Sequence, residues 1–284
     1  MVRQRSAKPS SAGSIPAVAS IIPTPPGFNF TATVESHGWY QLAPFRWSRE
    51  ERVLRRNDMA IAHDGKALRV EGNADRKQLA RMFQLDVDIG EFLSMTRASP
   101  AHAWVERVGF GRLLCAPTLF EDIIKIILTT NVTWSQTVKM AELMVAVCGR
   151  NGGFPSAQDI ARFTPQELKE RCRVGYRATT IHRLAAGIVA GSIDLDAISD
   201  PGQTTDELFA SYLTLPGIGP YGAAHLLAMD GRHDVIAVDT EFRRHVRQTY
   251  HKGRRVSDTT MLRRYAKWGR WKYLAYWAEL RGER

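Results

Sequence analysis

The spacing of apolar and polar positions changes period once along the chain. From 28 to about 72 the reading is β. Phe28, Phe30, Ala32 and Val34 alternate with polar or small residues, which predicts a half-buried strand. Met59-Ala60-Ile61-Ala62 and Ala67-Leu68-Arg69-Val70 flank His63-Asp64-Gly65-Lys66. Asp-Gly between two short β-like runs predicts a hairpin. Beyond this point the period becomes helical. Over 119–128, Phe120, Ile123, Ile124, Ile127 and Leu128 form one apolar stripe. Thr118 and Glu121 have the spacing of a reciprocal capping box in front of it. Thr164-Pro165-Gln166-Glu167 opens another helix with cap, proline and glutamate in order. Further helices are expected over 134–148, 176–190, 205–213, 221–229, 240–250 and 259–281. The fold class is therefore α+β and mainly α. A small N-terminal antiparallel β-sheet domain is expected over 27–100 and a helical domain over 101–284. Residues 1–26, rich in Pro, Ser and Ala and carrying Arg3, Arg5 and Lys8, read as a disordered basic tail.

Composition narrows the function classes. The 284 residues hold no apolar run of 18, which excludes a transmembrane helix. The run 15–22 is too short and interrupted for a signal peptide. Lys and Arg number 39 against 29 Asp and Glu, a formal charge of +10. Residues 243–284 alone hold 13 basic and 3 acidic side chains, so this segment carries the whole excess. Such a segment fits a polyanion partner, nucleic acid first, or simply a solvated helical surface. Three cysteines, Cys115, Cys148 and Cys172, cannot supply a four-cysteine zinc site or iron–sulfur cluster. The eight histidines show no H-x-x-x-H or H-x-E pair, and no metal site is expected. The expected compartment is the reducing cytoplasm, with nucleoid association in a bacterium.

Candidate chemistry concentrates after residue 204. Leu215-Pro216-Gly217-Ile218-Gly219 lies between two short helical patterns. Two glycines around one apolar residue allow a tight turn with unusual φ values, and Ile218 would plug the gap between the helices. Amides of the turn and of the next helix's first turn would then face outward at the positive end of a helix dipole, a ready phosphate site. The same residues fit a plain helix–helix turn. Asp234-Val235-Ile236-Ala237-Val238-Asp239-Thr240 follows, an apolar run ending in a carboxylate at a helix start. Alone, Asp239 would be an N-cap.

Together, L-P-G-I-G, a helix and I-A-V-D-T resemble the helix-hairpin-helix (HhH-GPD) DNA glycosylase superfamily, which carries that hairpin, a Gly/Pro-rich loop and one Asp. The resemblance covers roughly 28–280 and is strongest over 118–247. Residues 120–137, F-E-D-I-I-K-I-I-L-T-T-N-V-T-W-S-Q-T, and Gly175-Tyr176-Arg177-Ala178 are similar to its 3-methyladenine glycosylase II and 8-oxoguanine glycosylase branch. It implies that Asp239 is catalytic and that Gly217, Ile218 and Gly219 grip the DNA backbone. It further implies that Asn131 fills the gap left by the extruded base, that Tyr176 wedges the duplex and that Arg177 contacts the widowed base. Read alone, Asn131 would be a helix C-cap, Tyr176 a core aromatic, and Trp268, Trp271, Tyr273, Tyr276 and Trp277 a core cluster.

Departures from the family pattern refine the expectation. Bifunctional members place a Lys at the start of the second hairpin helix for Schiff-base chemistry, where this chain has Tyr221. The glycine that reads an oxidised base matches Leu42 in the run Leu42-Ala43-Pro44-Phe45-Arg46-Trp47. The expected activity is thus a monofunctional DNA N-glycosylase of base-excision repair, excising damaged purines, with alkylated ones favoured and oxidised ones left open. The alternatives are a bifunctional glycosylase/AP lyase and a noncatalytic DNA-binding protein. Tyr221 and Trp134 are candidate walls of the base pocket, with the buried core open for Trp134. The partner is double-stranded DNA containing a damaged base, engaged by a monomer without membrane contact. No cofactor is expected beyond a monovalent cation at the hairpin.

Overall fold

The computed structural model describes residues 20–282. Five strands form one antiparallel sheet: β1 (Ser20–Pro23), β2 (Phe45–Ser48), β3 (Val53–Arg56), β4 (Met59–His63) and β5 (Ala67–Glu71), in the order β1-β5-β4-β3-β2. The hairpin expected around Asp64-Gly65 joins β4 to β5, with Ile61 opposite Val70. Asp64 closes it by accepting from the amides of Lys66 and Ala67, both at 2.9 Å.

Two sequence expectations fail in this region. The expected tail does not extend to residue 26: Ser20–Pro23 pairs with β5, burying Ile22 while Ile21 faces out. Its proline sits at the end of an edge strand, where no ladder donor is needed. Residues 1–19 of that tail lie outside the described residues. The expected strand at 28–34 is a short helix, Phe30–Val34, whose N-cap Asn29 accepts from the Ala32 amide at 3.0 Å. The buried residues Phe30, Thr33 and Val34 satisfy the helical i, i+3, i+4 spacing, and the capping side chain decides between the two periods.

The sheet ends at Glu71, and 76–82 and 90–97 are already helical. Its inner face, with Leu54, Ile61, Leu68 and Val70, shares one apolar cluster with Ile123, Ile124 and Ile127 of the Leu119–Thr129 helix and with Leu226 and Leu227. That helix is central enough that its charged residues are buried too. Glu121 lies between Arg56 of β3 (2.8 Å) and Lys125 (2.7 Å), and Asp122 accepts from Trp39 Nε1 (2.7 Å) and Arg81 Nη1 (2.6 Å). The capping box expected at its start is therefore only half made. Thr118 Oγ1 accepts from the Glu121 amide, but the Glu121 carboxylate is spent on two buried cations that would otherwise stand unpaired. The Thr164–Glu167 box forms as expected.

A second apolar cluster joins the Gly90–Arg97 and Trp104–Val108 helices to the C-terminal helices through Phe92, Val105, Phe242, Val246, Tyr265 and Trp268. The single helix expected over 259–281 is broken into Asp258–Arg263, a 3-10 turn Ala266–Trp271 and Lys272–Gly282. Gly269 sits inside the break at φ +52°, a conformation an L side chain rarely adopts.

Candidate active site and DNA-facing loops

Thr205–Leu213, a six-residue turn and Pro220–Met229 make the helical hairpin. Ile218 is buried, and its amide donates to the Leu215 carbonyl at 3.1 Å, closing the turn. The two glycines do different jobs. Gly217 has φ +80°, and a Cβ there would lie 2.4 Å from Thr180 Cγ2. Gly219 has an ordinary φ of −100°, so the expectation of unusual φ at both positions is corrected. A Cβ on Gly219 would meet no atom within 4 Å. The chain leaves this backbone bare at the start of a helix, where outward amides and the dipole favour an anion.

Asp239 is the N-cap of the Thr240–His251 helix and accepts from the Phe242 amide at 2.7 Å. This one bond fixes the carboxylate at the positive end of the helix. Asp239 acts electrostatically on Tyr221, His225, Tyr273 and Tyr276, and the first three of these line a cavity of about 520 Å³ whose acidic wall residue is Glu241. Tyr221 and Trp134 both line that cavity, with His37, Gly38, Trp39, His225, Tyr273 and Trp277 around it. Trp134 is 39% exposed, the first residue of its helix, and its Nε1 donates to Gln41 Oε1 at 2.6 Å; it is a wall and not core. The Tyr221 ring lies 4.4 Å from His225, and Tyr273 stacks on Trp277 at 5.9 Å and 11°. Burial pushes the Tyr221 hydroxyl up to about 12, with the Asp239 charge adding. Burial pushes His37 down to about 3 and lowers His225. Both imidazoles are thus neutral at pH 7, and His37 Nε2 donates to the Leu114 carbonyl at 2.6 Å.

Trp268, Trp271 and Tyr276 are core, as their helical spacing suggests; Tyr273 and Trp277 of the same cluster face the cavity. His37, Gly38, Trp39 and His225 give no signal in the sequence, because no motif or period groups them. Leu42 is fully buried, and Gly38 is the glycine on the cavity wall.

Asn131 and Tyr176 come together. Asn131 follows the end of the Leu119–Thr129 helix at φ +51°, a left-handed position that asparagine tolerates, and its Nδ2 donates to the Tyr176 hydroxyl at 3.3 Å. Tyr176 follows Gly175 (φ +60°) and is 65% exposed, so it is no core aromatic. Arg177 is 4% exposed and points inward, donating to the Ile127 carbonyl at 3.1 Å and to the Thr130 carbonyl. Among the described residues no three His, Cys, Asp or Glu side chains are grouped to hold a metal, and no helix is long and apolar enough to cross a membrane.

Comparison with known proteins agrees with this geometry. No curated protein matches the chain by sequence. The fold is similar to that of 3-methyladenine DNA-glycosylase from Archaeoglobus fulgidus, with a TM-score of 0.74, 21% identity and coverage of 93% of this chain and 98% of that one. It is similar to MBOgg1 in complex with a low-affinity DNA ligand, with a TM-score of 0.73, 20% identity and coverage of 92% and 96%. It is also similar to Clostridium acetobutylicum 8-oxoguanine glycosylase/lyase bound to duplex DNA, at 0.72, 18%, 90% and 92%. The family model for HhH-GPD superfamily base excision DNA repair proteins matches residues 124–271, a little over half of the chain. With hairpin, capping aspartate and aromatic cavity in one place, the chain belongs to the HhH-GPD superfamily of base excision DNA repair proteins.

Proposed function

We propose that the protein is a monofunctional DNA N-glycosylase that excises alkylated, positively charged purines from duplex DNA, acting as a monomer in the cytoplasm. The observation that carries this reading is the cavity wall: Trp39, Trp134, Tyr221, Tyr273 and Trp277, with His37, His225 and the Glu241 carboxylate and no Lys or Arg among the lining residues. Aromatic faces attract a cation, and a cationic base gains most where no protein cation competes.

The chemistry follows from the target. The lesion must leave the stack to be reached, which costs a few kcal/mol and least for a damaged base. Gly217, Ile218 and Gly219 would hold the backbone, while Tyr176 and Asn131 occupy the gap. The C1′–N bond then breaks with its electron pair going to the base. A cationic purine leaves neutral and needs no proton, which suits a pocket whose histidines carry none at pH 7. Asp239 would stabilise the developing positive charge on the sugar and orient water, whose oxygen bonds to C1′ as its proton passes to the Asp239 carboxylate and on to solvent. Water and the chain's own groups suffice as reactants, so no resident cofactor is proposed; a monovalent cation at the hairpin would only strengthen the backbone grip.

The position that distinguishes hydrolase from lyase is Tyr221, a phenol where Schiff-base chemistry requires an amine. The test is a panel of duplexes, each with one damaged base, incubated with the protein and then divided. The expected result is release of 7-methylguanine and 3-methyladenine with the strand intact until hot alkali is added, and no covalent complex on borohydride treatment. Strand cleavage without alkali at the rate of base release would overturn the monofunctional reading. Release of 8-oxoguanine alone would overturn the substrate class, and no release from any duplex would overturn the enzyme.

A further inference from the structure

Arg177 sits between the two loops that carry the gap-filling residues. Its Nε donates to the Ile127 carbonyl (3.1 Å) and the Thr130 hydroxyl (3.3 Å), one Nη to the Thr130 carbonyl and the other to the Val174 carbonyl (3.4 Å). Ile127 and Thr130 end the helix that leads into Asn131; Val174 precedes the loop that presents Tyr176. The guanidinium carbon also lies 4.5 Å from the centroid of the Tyr176 ring, beneath a side chain whose hydroxyl meets Asn131 and Thr130. One buried cation thus fastens the C-terminal carbonyls of one helix, an electrostatically favourable place for it, to the first turn of another. Swinging Arg177 out to a base would take from the Thr130 carbonyl the donor that Arg177 supplies and forfeit charge-assisted bonds to three carbonyls, although the Ile127 and Val174 carbonyls keep the amides of Thr130 and Arg177.

We propose that Arg177 is a positioning residue, setting the separation of Tyr176 and Asn131 so that both enter the duplex together, and that it does not read the base opposite the lesion. This rests on the glycosylase reading above. It carries a consequence for specificity: opposite-base preference does not come from this arginine, and the plug it supports acts on any partner base.

The test uses the full-length protein and its Arg177→Ala and Arg177→Lys variants in single-turnover release of 7-methylguanine. The base is placed opposite each of the four normal bases and opposite an abasic site. Release by the parent establishes the underlying reading independently. For Arg177→Ala the expected result is a loss of about tenfold or more on all four paired duplexes, the scale of losing charge-assisted hydrogen bonds. The loss should be equal for each, and clearly smaller opposite the abasic site, where no partner base must be held apart. Arg177→Lys, which keeps the charge but not the fork, should recover part of the paired-duplex rate. A change in the ratio among the four opposite bases would overturn the proposal in favour of base reading. An equal loss on all five substrates would overturn it in favour of a merely structural residue. If the alanine variant does not fold, Arg177→Lys carries the same comparison.

Discussion

The indole of Trp134 fills the space that any side chain at position 38 would need: a Cβ on Gly38 would lie 2.4 Å from the ring carbons. Glycine is required there by room and not by backbone angle. If the indole moves, it gives up the hydrogen bond from its Nε1 to Gln41. Gly38→Ala should therefore push the indole off its place, with a strain of about 1–3 kcal/mol. Base release should fall, by about tenfold, more than affinity for undamaged duplex. Trp134→Phe in the same chain should relieve the strain, which a thermal melt of the double variant would reveal. Parent-like release of every lesion by Gly38→Ala would remove Trp134 from the pocket wall.

A single substitution separates the N-cap role of Asp239 from the catalytic role proposed for it. Asparagine still accepts from the Phe242 amide, so Asp239→Asn should keep the helix start and change stability by less than about 1 kcal/mol. It removes the negative charge that the proposed mechanism sets beside the sugar. Release should drop by roughly 10²-fold or more while lesion-DNA binding stays near that of the parent. Binding isotherms and single-turnover rates on the same duplex decide it, and equal rates would exclude a catalytic role.

The hairpin glycines should respond differently. Gly217→Ala meets both a positive φ and Thr180, and should destabilise the fold by about 1–3 kcal/mol. Gly219→Ala meets nothing in the protein and should leave stability within about 1 kcal/mol. Its effect should appear only with DNA present, as weaker affinity for damaged and undamaged duplex alike. A Gly219→Ala variant that binds undamaged DNA like the parent would show that the backbone grip lies elsewhere.

His233 gives the fold a dependence on pH. Its ring is 1% exposed, stacks near Trp271 and Tyr273, and neither nitrogen has a protein partner. Burial pushes its pKa from 6.5 down to about 3. Between those values the unfolded chain takes up a proton that the folded chain refuses. Stability is therefore full above pH 6.5 and lost as the pH falls toward 3, by about 2 kcal/mol at pH 5 from this group. Urea midpoints at pH 7.5 and pH 5 should show that loss together with an equal share from His37, which burial also pushes down to about 3, and His233→Phe should reduce the total by the His233 share. An unchanged slope in the variant would assign the dependence to other groups.

Local signals along the chain were enough for much of this molecule. The Asp64-Gly65 hairpin, the apolar stripe over 119–128, the Thr164 cap and the paired helices around Leu215–Gly219 depend on neighbours within a few residues. Those are the interactions a linear reading can see. Asp239 was legible as a helix N-cap for the same reason, as a carboxylate at a helix start. What depended on partners far along the chain was not. Glu121 has the spacing of a capping box, yet Arg56, 65 residues away, claims its carboxylate. The cavity wall draws His37 and Trp39, Trp134, Tyr221, and Tyr273 and Trp277 from four separate stretches of sequence. Arg177 follows the exposed Tyr176 directly, but the carbonyls that hold it inward lie some fifty residues earlier. Burial and charge pairing are settled by what surrounds a side chain in space, and for these residues only the tertiary structure supplies the surroundings.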